Sequence, residues 1–136
     1  MEPVKEKLSG FLVDTHVLLW WLFDDPKLSG PAHDVIQAPD NTILVSSASG
    51  WEIATKYRLG KLPHAGEAAR NLPLLLRKSR IDVLPITMEH ALAAGALPGP
   101  HLDPFDRMLI AQGQIEGLPI VTSDHAFTQY PVKIIW

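Results

Sequence analysis

The stretch Phe11-Leu12-Val13-Asp14-Thr15 decides the fold. Its apolar run closes on a carboxylate. A short apolar run without polar alternation reads as a strand covered on both faces, the kind a parallel sheet contains. Pro119-Ile120-Val121-Thr122-Ser123-Asp124 repeats the pattern more than a hundred residues later, again closing on Asp. In an open α/β sheet the carboxyl ends of the strands form the ligand crevice. Asp14 and Asp124 are therefore expected at its rim.

Strand and helix signals alternate between these two runs. A helix is predicted over residues 15–23, ending before Asp24-Asp25-Pro26. Ser29 is placed to cap a second helix, with Pro31 in its first turn, reaching about residue 38. Residues 41–45 read as a strand after the turn Pro39-Asp40-Asn41, and residues 46–59 as a helix stopped by Gly60. The apolar stripe of that helix reads as Ala48, Trp51, the methyl of Thr55 and Leu59, with Glu52 on its border. Residues 66–80 are helical again, carrying Leu72, Leu75 and Leu76, and Pro73 predicts a kink. A strand over 82–86 follows, then a helix capped by Thr87 to about residue 97, then a loop over 98–102. Asp103 and Pro104 open a helix to Glu116 as N-cap and first residue, and Gly117 ends it. Residues 120–122 and 132–135 are the last strands. Such alternation predicts a parallel sheet with helices on both faces, its strand ends aligned along one edge by right-handed crossovers. The expected class is α/β, a three-layer α/β/α sandwich with about five parallel strands. Residues 1–10 read as an extension and 11–136 as one domain.

At 136 residues and 46% hydrophobic content the chain suits a single core and is not disordered in character. It has no cysteine, which removes disulfides, thiolate zinc sites and a cysteine nucleophile, and which fits a reducing cytoplasm. The polar start MEPVKEKLSG lacks a signal-peptide core, and the longest apolar stretch, residues 17–23, is too short to span a membrane. The six histidines show no zinc spacing, so His16 and His101 are left outside the chemistry. Net charge is −3, yet seven of the twelve Lys and Arg lie from Lys56 to Arg80 against one acid, Glu67. That segment suits either a polyanion's backbone or two solvated helix faces.

Four acids are the candidate site: Asp14, Glu52, Asp106 and Asp124. Each has a plainer use. Asp14 can cap the helix that follows it. Glu52 fits a capping box with Ser49, but Ser46 or Ser47 serves equally as the cap, which leaves Glu52 free to face the crevice. Asp106 stands at the third position of its helix, where the dipole favours its charge. Asp124 can cap a short turn over 125–129 unless Ser123 takes that task. Arg107 is read as pairing with an acid or touching phosphate. Gathered together, four carboxylates repel, and a hard divalent cation, Mg²⁺ or Mn²⁺, is the usual remedy. Such a crevice suits phosphodiester hydrolysis.

Val13-Asp14-Thr15-His16-Val17-Leu18-Leu19-Trp20 resembles the opening of PIN domains of the VapC toxin type. Ser46-Ser47-Ala48-Ser49-Gly50-Trp51-Glu52-Ile53-Ala54-Thr55-Lys56 resembles their second block. His101-Leu102-Asp103-Pro104-Phe105-Asp106-Arg107 and the residues to Gln112 resemble the third, and Leu118 to Asp124 the fourth. The blocks stand in the family's order and spacing. The resemblance implies a Mg²⁺-dependent endoribonuclease, the toxin of a type II toxin–antitoxin pair, with Asp14, Glu52, Asp106 and Asp124 as its acidic core. It also implies an RNA substrate, a small antitoxin partner and a homodimer. Residues 20–23 read as a subunit or antitoxin interface or, more simply, as core. Two other classes compete: a non-catalytic RNA-binding or protein-interaction module on the same fold, and a PIN-like nuclease acting on DNA. The first has no need of the acids.

Overall fold

The computed structural model describes residues 10–99 and 103–136. The expected extension therefore lies outside the described residues except for Gly10, as do His101 and part of the loop before Asp103. The chain runs β1 (Phe11–Val13), α1 (Thr15–Leu22), α2 (Gly30–Gln37), β2 (Ile43–Ser46), α3 (Ser47–Arg58), α4 (Gly66–Ser79), β3 (Asp82–Leu84), α5 (Met88–Ala96), α6 (Pro104–Glu116), β4 (Ile120–Val121) and β5 (Ile134–Ile135). A 3-10 turn, His125–Gln129, precedes β5. The five strands form one parallel sheet in the order β3-β2-β1-β4-β5.

Alternation along the strands builds a core on each face. Val13, Ile43, Val45 and Val121 point to one side, where α1, α2, α3 and α4 supply Val17, Leu18, Ala32, Ile36, Ile53, Ala68 and Leu76. Leu12, Leu44, Leu84 and Ile120 point to the other, against Leu109 and Ile110 of α6, Phe127 and Tyr130. The expected three-layer architecture is thus present. β1 and β4 are covered on both faces because they are central. β3 is an edge strand, shorter than the expected 82–86, and Val83 is exposed.

Local chemistry sets the element ends. The Asp103 carboxylate accepts from the Asp106 N–H, Pro104 fills the first turn, and Gly117 closes α6 in the left-handed region at φ 68°. α4 kinks at Asn71, whose φ of −129° and ψ of 24° leave the helix, so Pro73 lies in the first turn of the second half. On α3, however, the expected stripe is wrong. The buried face carries Ala48, Ser49, Glu52 and Ile53, while Trp51 is 62% exposed and Leu59 is also exposed. Among the described residues no helix is long and apolar enough to cross a membrane.

Candidate active site

β1, β2 and β3 run to one side of the sheet, and β4 then returns to the other side of β1. Strand order reverses between β1 and β4, and open α/β sheets place their ligand crevice at that switch. Asp14 follows β1 and is only 7% exposed. It caps α1, its Oδ1 accepting from the Val17 N–H at 2.8 Å, while Oδ2 accepts from the Thr122 hydroxyl just after β4. Thr122 Oγ1 in turn accepts from the Asp124 N–H at 3.0 Å. One threonine therefore locks two strand ends and two acids together. Asp124 caps the 3-10 turn itself, its Oδ1 accepting from the Ala126 N–H at 2.9 Å. Ser123 does not relieve it.

The competition over the cap of α3 goes to Ser46, whose Oγ accepts from the Ala48 N–H at 3.0 Å. Ser49 is used elsewhere: its Oγ accepts from Thr15 Oγ1 at 2.9 Å. Glu52 is thus in the second turn, turned inward and 2% exposed. Its Oε2 accepts from the Lys56 ammonium one turn later, and its Oε1 is buried without a hydrogen-bond partner. Trp51 and Phe105 meet edge to face at 4.8 Å between centroids. That contact ties α3 to the start of α6 and brings Asp103 and Asp106 opposite Glu52.

All four predicted acids line one crevice of about 360 Å³, with Asp103, Lys56, Thr15, His16, Trp20 and Ser123. Its electrostatics are unbalanced. Burial, followed by the charges of Asp103, Glu52, Asp124 and Asp14, pushes the Asp106 carboxyl up to about 7. Burial also raises Asp14, against the lowering effect of the bonds from Thr122 and Val17. Lys56 is raised as well, which for an amine means its charged form is favoured. Desolvation favours its neutral form, but Glu52, Asp103 and Asp106 outweigh this and raise it.

These residues suit a divalent cation in their donor chemistry. The donors are hard oxygens, the carboxylates repel, and Glu52 offers a buried oxygen that nothing among the described residues satisfies. Among the described residues no three His, Cys, Asp or Glu side chains already stand as a closed ligand set. They border the crevice, and Lys56 bridges two of them.

Three residues depart from the sequence reading. Arg107 does not pair with an acid. Its guanidinium donates to the carbonyls of Ala94, Gly95 and Leu97 at 3.0, 3.3 and 2.7 Å, closing the end of α5. Lys56 was missed, although its i,i+4 spacing from Glu52 is a readable pair signal. Thr122 was missed as the clasp on Asp14, because only pairing of β1 with β4 brings the two together.

A model of the PIN domain family matches residues 11–133. Ribonuclease VapC16 of Mycobacterium tuberculosis is 43% identical over 60 residues, a span covering 44% of this chain and 41% of that protein, less than half of either. Among solved structures, VapBC2 from Rickettsia felis bound to a promoter DNA fragment aligns with a TM-score of 0.67 at 18% identity, over 91% of this chain and 96% of that one. A toxin–antitoxin complex from Klebsiella pneumoniae aligns at 0.62 and 19%, over 90% and 93%. VapBC-1 from nontypeable Haemophilus influenzae aligns at 0.62 and 16%, over 91% and 95%. At such identities the likeness speaks for the fold.

Proposed function

The chain belongs to the PIN-domain family, and from that premise we propose that it is a metal-dependent endoribonuclease, the toxin of a type II toxin–antitoxin pair. The reading rests on one observation above others. Four carboxylates from four separate parts of the chain border one crevice, and the Glu52 Oε1 among them lacks any partner. VapC16 is named a ribonuclease, and the structural neighbours include toxin–antitoxin complexes. These support, in turn, an RNA substrate and a small antitoxin partner for this chain. A homodimer and a cytoplasmic setting belong to the same proposal.

Asp14 and Asp106 would hold Mg²⁺ or Mn²⁺, with Glu52 and Asp124 completing the oxygen shell. The cation, when bound, supplies Lewis-acid activation of water and neutralises charge on the phosphoryl oxygens. Thr122 keeps Asp14 aimed into the crevice. His16 and Trp20 join the crevice to a neighbouring groove of about 500 Å³ that also carries Lys27, Lys61 and His64. A strand held by its phosphates along that groove reaches the acids over the face of Trp20.

The test is incubation of a mixed structured-RNA pool with pure protein in Mg²⁺, Mn²⁺ or EDTA, beside Asp106→Asn and a DNA control of matched sequence. Metal-dependent RNA cutting, lost in the variant, is the expected result. RNA bound but uncut in either metal would replace the nuclease with a binding module. Equal cutting of DNA would replace it with a nuclease indifferent to the sugar.

A further inference from the structure

Among the described residues, Lys56 is the Lys or Arg that borders the crevice, and the acids themselves fix its position. Its ammonium pairs with Glu52 Oε2, stands 3.7 Å from Asp103 Oδ2 and lies 5.9 Å above the centre of the Phe105 ring. An ordinary i,i+4 pair on a helix surface is solvated at both ends and worth little. This one differs in two respects. Glu52 is buried, and Lys56 also reaches a carboxylate on another helix. An ammonium has three donors; the bond to Glu52 uses one.

The charges divide the crevice in two. On one side Lys56 already balances Glu52 Oε2 and Asp103. On the other, Asp14, Asp106 and Asp124 form no salt bridge among the described residues, and Glu52 Oε1 is bare. Nucleases that clamp a phosphate with two ions place them about 4 Å apart, one on each side of the phosphoryl group. In this crevice a covalently attached charge, the Lys56 ammonium, stands between Glu52 and Asp103.

Resting on the nuclease reading, we infer that Lys56 stands in for a second divalent ion: the site takes one ion on the Asp14–Asp106 side, and the Lys56 ammonium supplies the second positive charge toward the substrate phosphate. Glu52 is the shared member, giving one oxygen to each cation. Lys56 is then more than a counter-charge filling space until metal arrives, which would be displaced without consequence.

The two roles separate in a metal titration. Mn²⁺ alone is titrated into the full chain by calorimetry and by the loss of free-Mn²⁺ paramagnetic signal, for the unaltered protein, Lys56→Met and Lys56→Arg. RNA cleavage is measured alongside. The expected result is one Mn²⁺ per chain in the unaltered protein and in Lys56→Arg, and two in Lys56→Met. Lys56→Met should also lose cleavage roughly 100-fold at an Mn²⁺ level that saturates the first site. Excess Mn²⁺ should restore part of it. Two ions in the unaltered protein would overturn the inference. So would one ion in a folded Lys56→Met, whatever its activity. If the counts come out as expected while no RNA is cut by the unaltered protein, Lys56 still takes the place of a second ion, and the nuclease reading, with its substrate phosphate, is what fails. Should Lys56→Met not fold, the unaltered protein and Lys56→Arg still decide by their counts.

Discussion

Two buried polar clusters occupy this small domain, and they are built on opposite plans. Between α5 and α6, His90 is 1% exposed, and its Nδ1 accepts from the Thr87 N–H at 3.0 Å. The ring proton is therefore on Nε2, which donates to Glu116 Oε1 at 3.0 Å. The Gln112 amide donates to the Pro85 carbonyl and to His90. Donors face acceptors throughout, and the one atom left over, Gln112 Oε1, is a neutral amide oxygen. At the switch point, like charges face each other, and the atom left over, Glu52 Oε1, belongs to a carboxylate. Leaving a buried carboxylate oxygen without a hydrogen bond costs more than leaving a buried amide oxygen without one. The first cluster closes two helices on each other. The second leaves a deficit that nothing among the described residues fills.

The contrast can be broken most directly by removing one carboxylate from each cluster. Glu116→Ala should destabilise the protein by about 2 kcal/mol in urea unfolding and leave Mn²⁺ affinity unchanged. Asp106→Asn should do the reverse. It should stabilise the metal-free protein at pH 8, because the folded protein no longer holds a repelled charge, and it should abolish metal-dependent cleavage. If both variants merely destabilise, the clusters are alike and the functional reading of the crevice loses its basis. Next in size is Thr122→Val, which keeps shape and removes the hydroxyl that holds Asp14. Metal affinity should fall roughly tenfold, by calorimetry, with the fold intact.

A pH series sharpens the same contrast. Asp106 is raised from 3.8 to about 7, and Asp14 is raised as well. A carboxyl that binds its proton more tightly when folded favours the fold at low pH. That contribution declines from about pH 4 and is gone once pH has risen through about 7. Metal-free protein should therefore melt at lower temperature at pH 8 than at pH 5.5. Ion binding demands the ionised form, so Mn²⁺ affinity should rise over the same range, with proton release visible as a buffer-dependent binding enthalpy. The smallest effect belongs to Trp51→Ala. The ring is exposed and gives up little beyond its edge contact with Phe105, so stability should drop by about 1 kcal/mol.

Trp51 also marks where sequence reading stopped working. Most of the fold was legible, because its signals are local: apolar runs ending on Asp14 and Asp124, the Asp103-Pro104 start, the Gly117 stop, the Pro73 kink. The four acids were legible as strand ends and helix starts. The face of α3 was not, since periodicity seeks an apolar stripe and this helix buries an acid. Setting Glu52 on the border of the stripe turns that stripe toward Trp51 and away from Ile53, which is fully buried. The choice of Ser46 over Ser49 as cap depended on Thr15, thirty-four residues away from Ser49. The reach of Lys56 to Asp103, and of Arg107 to the end of α5, needed helices packed side by side before either could be seen.

The bond from Thr122 to Asp14 spans 108 residues, and β1 has β2 on one side and β4 on the other. During synthesis β1 and β2 emerge early and can pair, while Asp14 waits without its clasp and Asp124 does not yet exist. The crevice is complete only once β4 and the residues after it have joined the sheet. A copy cut short just before β4 carries three of the acids, Asp14, Glu52 and Asp106, and one half made carries two; both lack Asp124 and the Thr122 clasp.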